Sequence, residues 1–508
     1  MTFIDRKTAS LFTLFLTIFL LLVIINWVGF TASDDAVYVK GAYGLLNEFP
    51  FLGEHGTFRF IITAPIALMM WVFGENEVSI ALPTLFYAVA FIIVLISFFR
   101  RRAGDKASIF VGLMMVTSPL LVTQSSIASI DIIEAFYVFA SLLFFIKASE
   151  TTQNTVRWLI LSGMMAGLAF LTRETTVFLL VYYGILFAMG VGIKRLQYFV
   201  MAFGFFTIWG LETLYFWVFS GDPLYRFSRS FGHDSTIDRS IDLAGNLIIH
   251  PIIDPLLVLL FNQEFGVLFW VLGGIVVWWF VLGKRKQNMP DQNTVSRDIA
   301  DDTGQHAKAC KLIAGLGTVW FLCAGGVGNL LPLNPRYFLV TNIAAILVTA
   351  LFLSDILQQG RKEKRAAYLC LTAIMAVNLL GLWAENKNFL FAEKQLARVA
   401  ANQDATIYTD PETLHRATYL LKWEGASEQV QAIGYPPVCS LYFQNKKYMP
   451  AQLIGWDKVE IIEPPNSFLK KPAEFIGLYD LLPNALRFRL NGGHKGAAIF
   501  IYDPEGRC

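Results

Sequence analysis

The sequence predicts a mainly α-helical polytopic membrane protein with about eleven transmembrane helices, additional interfacial helices and a small C-terminal α/β domain. Its 508 residues are 55% hydrophobic and only 16% charged, and the mean hydropathy is +0.52. Soluble proteins usually carry about 25% charged residues. Long apolar runs recur up to Trp383, and the composition then becomes mixed. The net charge of +2 argues against a nucleic-acid partner.

Eleven apolar runs are long enough to be read as membrane spans. They are residues 9–30, 79–99, 107–123, 131–148, 157–172, 175–192, 196–219, 265–283, 311–331, 336–354 and 366–384. A further apolar stretch, residues 58–73, contains Pro65 and follows a short polar loop. We expect it to form a re-entrant or interfacial helix, because a twelfth span would place the basic clusters of the later loops on the opposite side of the membrane.

Basic residues collect in alternate loops, for example at Arg6-Lys7, at Arg100-Arg101-Arg102 and at Lys284-Arg285-Lys286. Such clusters stay on the cytoplasmic side. The N-terminus is therefore predicted inside the cell and the C-terminal domain outside. The first apolar run is longer than a signal-peptide core, so we interpret it as an uncleaved first helix.

Residues 1–384 are predicted to form the membrane domain and residues 385–508 the extracytoplasmic α/β domain. Short β-like runs occur at 405–409, 474–479 and 497–502, and residues 411–423 have a helical pattern. Cys439 and Cys508 could form a disulfide bond if this domain lies outside the cell. Within the membrane part, Gly163 and Gly167 form a GxxxG pattern that favours close helix packing inside the chain.

Two adjacent carboxylates, Asp34 and Asp35, come directly after the first span. At the edge of the hydrocarbon they repel each other and resist desolvation, so they need a cation, a proton or a bound partner. Their position indicates catalysis on a molecule that lies in the membrane.

Other polar groups lie on the same predicted outer face. Glu54 and His55 end the first outer loop, and Asp131 opens the fourth span, where a plain helix cap is the alternative interpretation. Arg173 and Arg336, at span ends, depart from the positive-inside pattern, and Arg59 follows shortly after Glu54 and His55. For Arg173 and Arg336, snorkelling to the interface is the structural alternative.

Carboxylates and arginines at one interface suit transfer from a phosphate. Positive charge binds and stabilises a phosphate leaving group. A carboxylate accepts the proton of an incoming hydroxyl or amine, and a divalent metal can bridge a carboxylate and the phosphate. A lipid-linked phosphate would present its phosphate at this depth.

At these residues the chain resembles the GT-C glycosyltransferases, in particular the protein O-mannosyltransferase and aminoarabinose (lipid A) transferase group. The segments that carry the resemblance are Asp34-Asp35, Glu54-His55-Gly56-Thr57, Asp131, Gly167–Arg173, Gly221-Asp222-Pro223 and Pro335-Arg336-Tyr337. Gly56-Thr57 replaces the prolines of the family motif, and the family's arginine near the start of the second span is missing from residues 77–83.

The resemblance implies the GT-C fold in a bacterial inner membrane, with a periplasmic site and C-terminal domain and with a polyprenyl-phosphate sugar donor. It further implies an inverting transfer in which Asp34 or Asp35 is the base. A divalent metal (Mg, Mn or Zn) is a candidate cofactor, held by Asp35 and Asp131.

The remaining site residues follow from the same resemblance. Candidate phosphate and donor ligands are Glu54, His55, Arg59, Arg173, Arg336 and Tyr337. In the later outer loop, His233 and Asp234 are candidate acceptor-loop residues, and a solvated loop face is the equal alternative. The acceptor is a glycolipid such as lipid A, a polysaccharide or a protein.

Two other functions remain open from the sequence. A transporter or flippase of a lipid-linked sugar would place ionisable residues near the bilayer midplane, within internal repeats. An oligosaccharide ligase would use a large basic outer loop, whereas residues 221–264 mix arginines with aspartates.

Overall fold

The structure is a computed structural model. It describes residues 6–151, 153–234, 250, 252–286, 297–326, 334–357, 360–384, 387–403, 405–432, 439–448, 456–467 and 469–502.

Helices dominate the first 384 residues. They are α1 (Arg6–Ile25), α2 (Asp34–Asn47), α3 (Phe60–Phe73), α4 (Glu77–Thr117), α5 (Pro119–Gln124), α6 (Ile130–Glu150), α7 (Thr155–Thr172), α8 (Val177–Met189), α9 (Arg195–Ser220), α10 (Tyr225–Asp234), α11 (Ile253–Phe261), α12 (Leu268–Lys286), α13 (Arg297–Gly326), α14 (Leu339–Ile356) and α15 (Arg361–Ala384). Short 3₁₀ helices, Glu174–Thr176 and Pro335–Phe338, precede α8 and α14. Each predicted apolar run lies largely on one of these helices.

Within the described residues, six segments are long and apolar enough to cross a membrane. They are Glu77–Thr117, Thr155–Thr172, Arg195–Ser220, Ala307–Gly326, Pro335–Ile356 and Arg361–Ala384. Helix α4 consists of two helical halves, because Gly104 has a left-handed φ of 77° and breaks the regular backbone. Four shorter apolar helices accompany these segments. The predicted helical membrane fold is confirmed, and the count of eleven spans stays a prediction.

Helix α3 occupies the apolar stretch that was expected to be interfacial. It has 14 residues and contains Pro65, whereas a helix that spans a bilayer needs about 20. One face is buried against α2 and α4, and Trp71 and Phe73 are exposed on the other. Its length therefore agrees with an interfacial helix.

The C-terminal part is a five-stranded sheet with helices. Its strands are β1 (Ile407–Thr409), β2 (Val430–Ala432), β3 (Leu441–Asn445), β4 (Trp456–Ile462) and β5 (Ala497–Tyr502), in the order β2-β1-β3-β5-β4. Strand β1 pairs in parallel with β2 and β3, whereas β5 is antiparallel to β3 and β4. The helices are α16 (Phe391–Ala401), α17 (Pro411–Trp423), α18 (Lys470–Phe475) and α19 (Asn484–Leu490). The predicted α/β character is confirmed.

One strand prediction in this domain is wrong. Residues 474–479 run from the end of α18 through a turn to the start of the 3₁₀ helix Tyr479–Leu481. Their side chains are largely exposed, and Phe475 is 91% exposed. The apolar residues of this segment therefore do not form a buried sheet face.

The C-terminal domain shares a hydrophobic core with the start of the membrane part. Buried Phe30, Tyr38 and Val39 form one continuous cluster with Leu396 and Ala417 of the domain. The ring of Phe30 lies 5.2 Å from that of Trp423 in α17. The domain therefore packs directly on the segment that carries Asp34 and Asp35.

Close helix packing explains the GxxxG pattern. A Cβ atom added at Gly163 in α7 would lie 1.9 Å from the carbonyl oxygen of Met201 in α9. In the opposite direction, a Cβ at Gly204 would lie 2.3 Å from the carbonyl oxygen of Ile160. The two backbones touch through glycines, as expected for packing within the chain.

We predict that Gly163→Ala destabilises the protein by roughly 1–3 kcal/mol, because α7 and α9 must separate to admit the methyl group. Thermal unfolding in detergent measures the effect. Gly210→Ala in α9 is the matched control, since a Cβ there meets nothing within 4 Å. Equal melting temperatures for the two variants would contradict this packing.

Candidate active site

The loop after α1 is fastened to the loop before α6. The backbone amide of Val28 donates to Ser126 Oγ at 3.1 Å, and the amide of Gly29 donates to the Ser126 carbonyl oxygen at 3.1 Å. These bonds place the first turn of α2, with Asp34 and Asp35, beside the first turn of α6, with Asp131. Both helix N-termini favour negative charge.

Asp35 holds the shape of its own loop. Its Oδ1 accepts hydrogen bonds from the amides of Ser33 at 2.8 Å and Ala36 at 3.0 Å. Its Oδ2 accepts from the amide and the hydroxyl of Thr31. The residue is only 1% exposed, and burial raises the pKa of its carboxyl group although the hydrogen bonds oppose that rise. Both oxygens are thus occupied by loop donors.

Asp34 is in a different environment, although it is the next residue. Its side chain is 49% exposed, and Oδ2 forms an ion pair with Arg336 Nη2 at 2.8 Å. Arg336 follows Pro335, which starts the 3₁₀ turn before α14, and Asn334 caps this turn by accepting from the Arg336 amide. The half-exposed carboxylate and the guanidinium are therefore in direct contact.

Asp131 and Arg173 form a buried ion pair behind Asp34 and Arg336. Arg173 Nη1 donates to Asp131 Oδ1, and the two side chains are 10% and 3% exposed. Ser129 caps α6 and donates from its hydroxyl to Asp131 Oδ2 at 3.0 Å. The guanidinium of Arg173 lies 4.3 Å from the ring centre of Tyr337, and that of Arg336 lies 5.6 Å from it. Tyr337 thus links the two arginines.

Most of these groups line one pocket. It is lined by the residues Thr31, Ser33, Asp34, Asp35, Tyr38, Gln124, Ile127, Ala128, Ser129, Ile130, Asp131 and Arg336. The Nε atom of Arg336 is buried and has no hydrogen-bond partner within the described residues. A polar pocket with a spare guanidinium donor is suited to bind an anion.

A second network extends from the pocket towards α10. Arg59 donates to the Tyr38 hydroxyl at 3.3 Å and to Glu174 Oε2 at 3.0 Å. The other oxygen of Glu174 accepts from Arg226, which also binds Glu212 at 2.9 Å. Tyr38 is buried, and its burial raises its pKa to about 12. Arg59 therefore reaches the pocket through Tyr38.

The structure separates Glu54 and His55 from this cluster. Glu54 is exposed and pairs with Lys40 at 2.9 Å, and that hydrogen bond lowers the pKa of its carboxyl group. His55 Nδ1 lies 3.2 Å from Ser230 Oγ in α10. His233 and Asp234 end α10, and their side chains lie outside the described residues. The predicted roles of these four residues thus gain no support from the pocket.

Sequence reasoning missed three members of these networks. Tyr38 lies one helical turn after Asp34, so the spacing along α2 could have identified it. Arg226 follows the Gly221-Asp222-Pro223 motif, and Glu174 follows Arg173 directly. Only their tertiary contacts single them out from other charged residues near span ends.

The predicted metal ligands are already engaged. Asp131 binds Arg173, and Asp35 binds backbone amides of its loop. Among the residues that the structure describes, no group of three or more His, Cys, Asp or Glu side chains could hold a metal ion. The donor set does not fit the predicted metal site in this arrangement.

Comparison with known proteins agrees with this architecture. Residues 60–210 match the family described as dolichyl-phosphate-mannose-protein mannosyltransferase. A search of curated protein sequences finds no match. ArnT from Cupriavidus metallidurans in the apo state aligns with a TM-score of 0.52 and 11% identity over 87% of this chain and 94% of ArnT. Its form bound to undecaprenyl phosphate gives a TM-score of 0.50 and 11% identity over 86% and 93%.

A second solved protein has the same fold. The oligosaccharyltransferase AglB from Archaeoglobus fulgidus, in complex with an inhibitory peptide and a dolichol-phosphate, aligns with a TM-score of 0.50 and 12% identity over 83% of this chain and 64% of AglB. An A. fulgidus oligosaccharyltransferase in complex with Zn and sulfate gives a TM-score of 0.50 and 13% identity over 90% and 72%. The predicted GT-C fold is confirmed by these structures, and the resemblance to the mannosyltransferase group is confirmed by the match over residues 60–210.

We predict that Arg173→Gln destabilises the protein by about 3–5 kcal/mol, because it leaves the buried Asp131 carboxylate without its counter-charge. Unfolding in detergent checks the loss. Lys40→Gln serves as the control, since it breaks the exposed pair with Glu54 and exposed pairs contribute little. An Arg173 variant as stable as the control would show that this pair does not support the fold.

Proposed function

We propose that this protein is an inverting membrane glycosyltransferase that moves a single sugar from a polyprenyl phosphate to an acceptor on the periplasmic face of a bacterial inner membrane. The acceptor group is a hydroxyl or amine of a glycolipid, a polysaccharide or a protein. The observation that carries the proposal is the half-exposed Asp34 carboxylate opposite Arg336 in one pocket.

The donor phosphate is proposed to bind at Arg336. One guanidinium nitrogen pairs with Asp34, while the buried Nε has no partner within the described part of the chain. A phosphate that binds this guanidinium competes with Asp34 for it. Donor binding therefore releases the carboxylate that the reaction needs. Arg173 is more deeply buried than Arg336. It adds positive charge and contacts the ring of Tyr337.

The transfer follows from these two groups. The acceptor oxygen or nitrogen attacks the anomeric carbon on the face opposite the phosphate, so the configuration inverts. Asp34 takes the acceptor proton, and the bond from the anomeric carbon to the phosphate oxygen breaks. The electron pair of that bond goes to the phosphate, whose charge Arg336 stabilises. No step in this scheme is routed through a metal ion, because Asp131 and Asp35 are engaged by Arg173 and by loop amides.

Asp34 suits the role of base better than Asp35. A general base must reach the acceptor proton directly or through one water. The Asp34 side chain is 49% exposed at the pocket, whereas Asp35 is buried and all its hydrogen bonds serve its own loop. Asp35 is therefore proposed to orient the loop.

Two observations support an extracytoplasmic site. The basic cluster Arg100-Arg101-Arg102 lies in the middle of α4, and the apolar second half of that helix separates it from Gln124 at the pocket. Such basic clusters stay in the cytoplasm. Cys439 of the C-terminal domain is disulfide-bonded. Disulfide bonds persist in oxidising compartments such as the periplasm.

We predict that Asp34→Asn lowers sugar transfer by about 10²–10⁴-fold, because the base is lost. The assay uses purified protein, radiolabelled polyprenyl-phosphate sugars and a membrane extract as the acceptor source. Glu54→Gln is the control carboxylate, since Glu54 pairs with Lys40 away from the pocket. Transfer that persists in Asp34→Asn would exclude Asp34 as the base, whereas lipid movement between leaflets without transfer would favour a transporter.

We predict that Arg336→Gln weakens binding of undecaprenyl phosphate at least about tenfold, because a charge-assisted hydrogen bond to the phosphate is lost. Binding is measured by isothermal titration in detergent. Arg398→Gln is the matched control, because Arg398 is an exposed arginine of the C-terminal domain. Unchanged affinity in Arg336→Gln would place the phosphate elsewhere.

A further inference from the structure

We propose that the C-terminal domain is a working part of the active site through Arg416, a positioning residue that holds the loop carrying Asp34 and Asp35. This inference rests on the proposed function, because the loop matters only if Asp34 is the base. It concerns a residue that lies more than 380 positions after that loop in the chain.

Arg416 of the C-terminal domain contacts a backbone atom of the membrane domain. Its Nη2 donates to the carbonyl oxygen of Thr31 at 3.0 Å. The amide and the hydroxyl of the same Thr31 donate to Asp35. Arg416, Thr31 and Asp35 therefore form a continuous chain of hydrogen bonds that ends next to the proposed base.

The guanidinium of Arg416 is itself held in place. Its Nε lies 3.7 Å from Glu393 Oε1, and its central carbon lies 5.3 Å from the ring centre of Phe389. Glu393 is 1% exposed and accepts a hydrogen bond from Asn445, the last residue of β3, at 3.3 Å. Arg416 lies in α17, directly after β1. The sheet thus fixes the arginine that contacts the loop.

Other contacts bring the domain to the same segment. Lys394 pairs with Glu77 at 2.8 Å, and Glu77 also accepts from the indole of Trp27 at 3.0 Å. Trp423 donates to the Tyr43 hydroxyl at 3.2 Å, at the far end of α2. These contacts dock the domain on both sides of the acidic pair, and Arg416 is the residue that reaches Thr31.

Position matters here because Asp34 and Asp35 lie in the same helical turn. If Thr31 moves, the donors around Asp35 move with it, and the first turn of α2 loses its fixed orientation. A displacement of about 1 Å in a reacting group can reduce turnover by about 10²-fold. A shift of this kind affects the rate of transfer, whereas the phosphate is held by arginines on other elements.

The test compares Arg416→Gln with Arg398→Gln in the full-length protein. Hydrogen exchange at residues 31–36 is expected to become at least about tenfold faster in Arg416→Gln, since local opening sets that rate. Turnover is expected to fall at least about tenfold while affinity for undecaprenyl phosphate stays within about twofold. Arg398→Gln should leave all three quantities unchanged.

A second variant separates positioning from general folding. Thr31→Val removes the hydroxyl bond to Asp35 and keeps the carbonyl that Arg416 binds. Because both changes act on Asp35, the double variant should lose less turnover than the product of the single losses. Glu393→Gln keeps the side-chain volume, removes the counter-charge of Arg416, and is expected to give a smaller loss in the same direction.

Three results would overturn the inference. They are unchanged exchange at residues 31–36 in Arg416→Gln, an equal increase in every segment of the protein, or faster local exchange with native turnover. If the native protein transfers no sugar at all, the proposed function is refuted independently of Arg416. The exchange measurement then still decides whether Arg416 orders the loop.

Discussion

The buried ion pair between Arg173 and Asp131 is the constraint on which the rest of the site depends. A charge removed from water at this depth is tolerated only with a partner, so each side chain fixes the other. The pair joins the end of α7 to the start of α6, and Arg173 also stacks on Tyr337 beside Arg336. Arg336 is thereby directed to Asp34. The positions of the exposed groups follow from the buried pair behind them.

Two neighbouring aspartates can have different roles because their solvation differs. Asp35 is surrounded by donors of its own loop, whereas Asp34 faces the pocket and one guanidinium. The C-terminal domain contributes to this difference, because its Arg416 donates to the Thr31 carbonyl oxygen of the same loop. The division at residue 384 therefore marks a change in composition, whereas the hydrophobic core continues across it. Both halves of the chain shape the acidic turn.

Four of the predicted site residues lie at helix ends, and their roles stay predictions. Asp34, Asp131, Arg173 and Arg336 depart from the apolar runs around them, and the structure brings all four together. Glu54 and His55 lie in an irregular loop, where no helical or strand periodicity indicates which way a side chain points. In the structure, Glu54 pairs with Lys40. Arg416 could not be predicted, because its contact with Thr31 depends on how two domains pack. The misassigned strand at 474–479 has the same origin, since its burial depends on tertiary contacts.

A structure of the protein with bound undecaprenyl phosphate tests the central claim most directly. The account predicts a phosphate within hydrogen-bond distance of Arg336, with the Asp34–Arg336 ion pair opened and the Asp34 carboxylate free in the pocket. Asp131 and Arg173 should remain paired behind it. A phosphate bound away from Arg336, with the Asp34–Arg336 pair intact, would contradict the account.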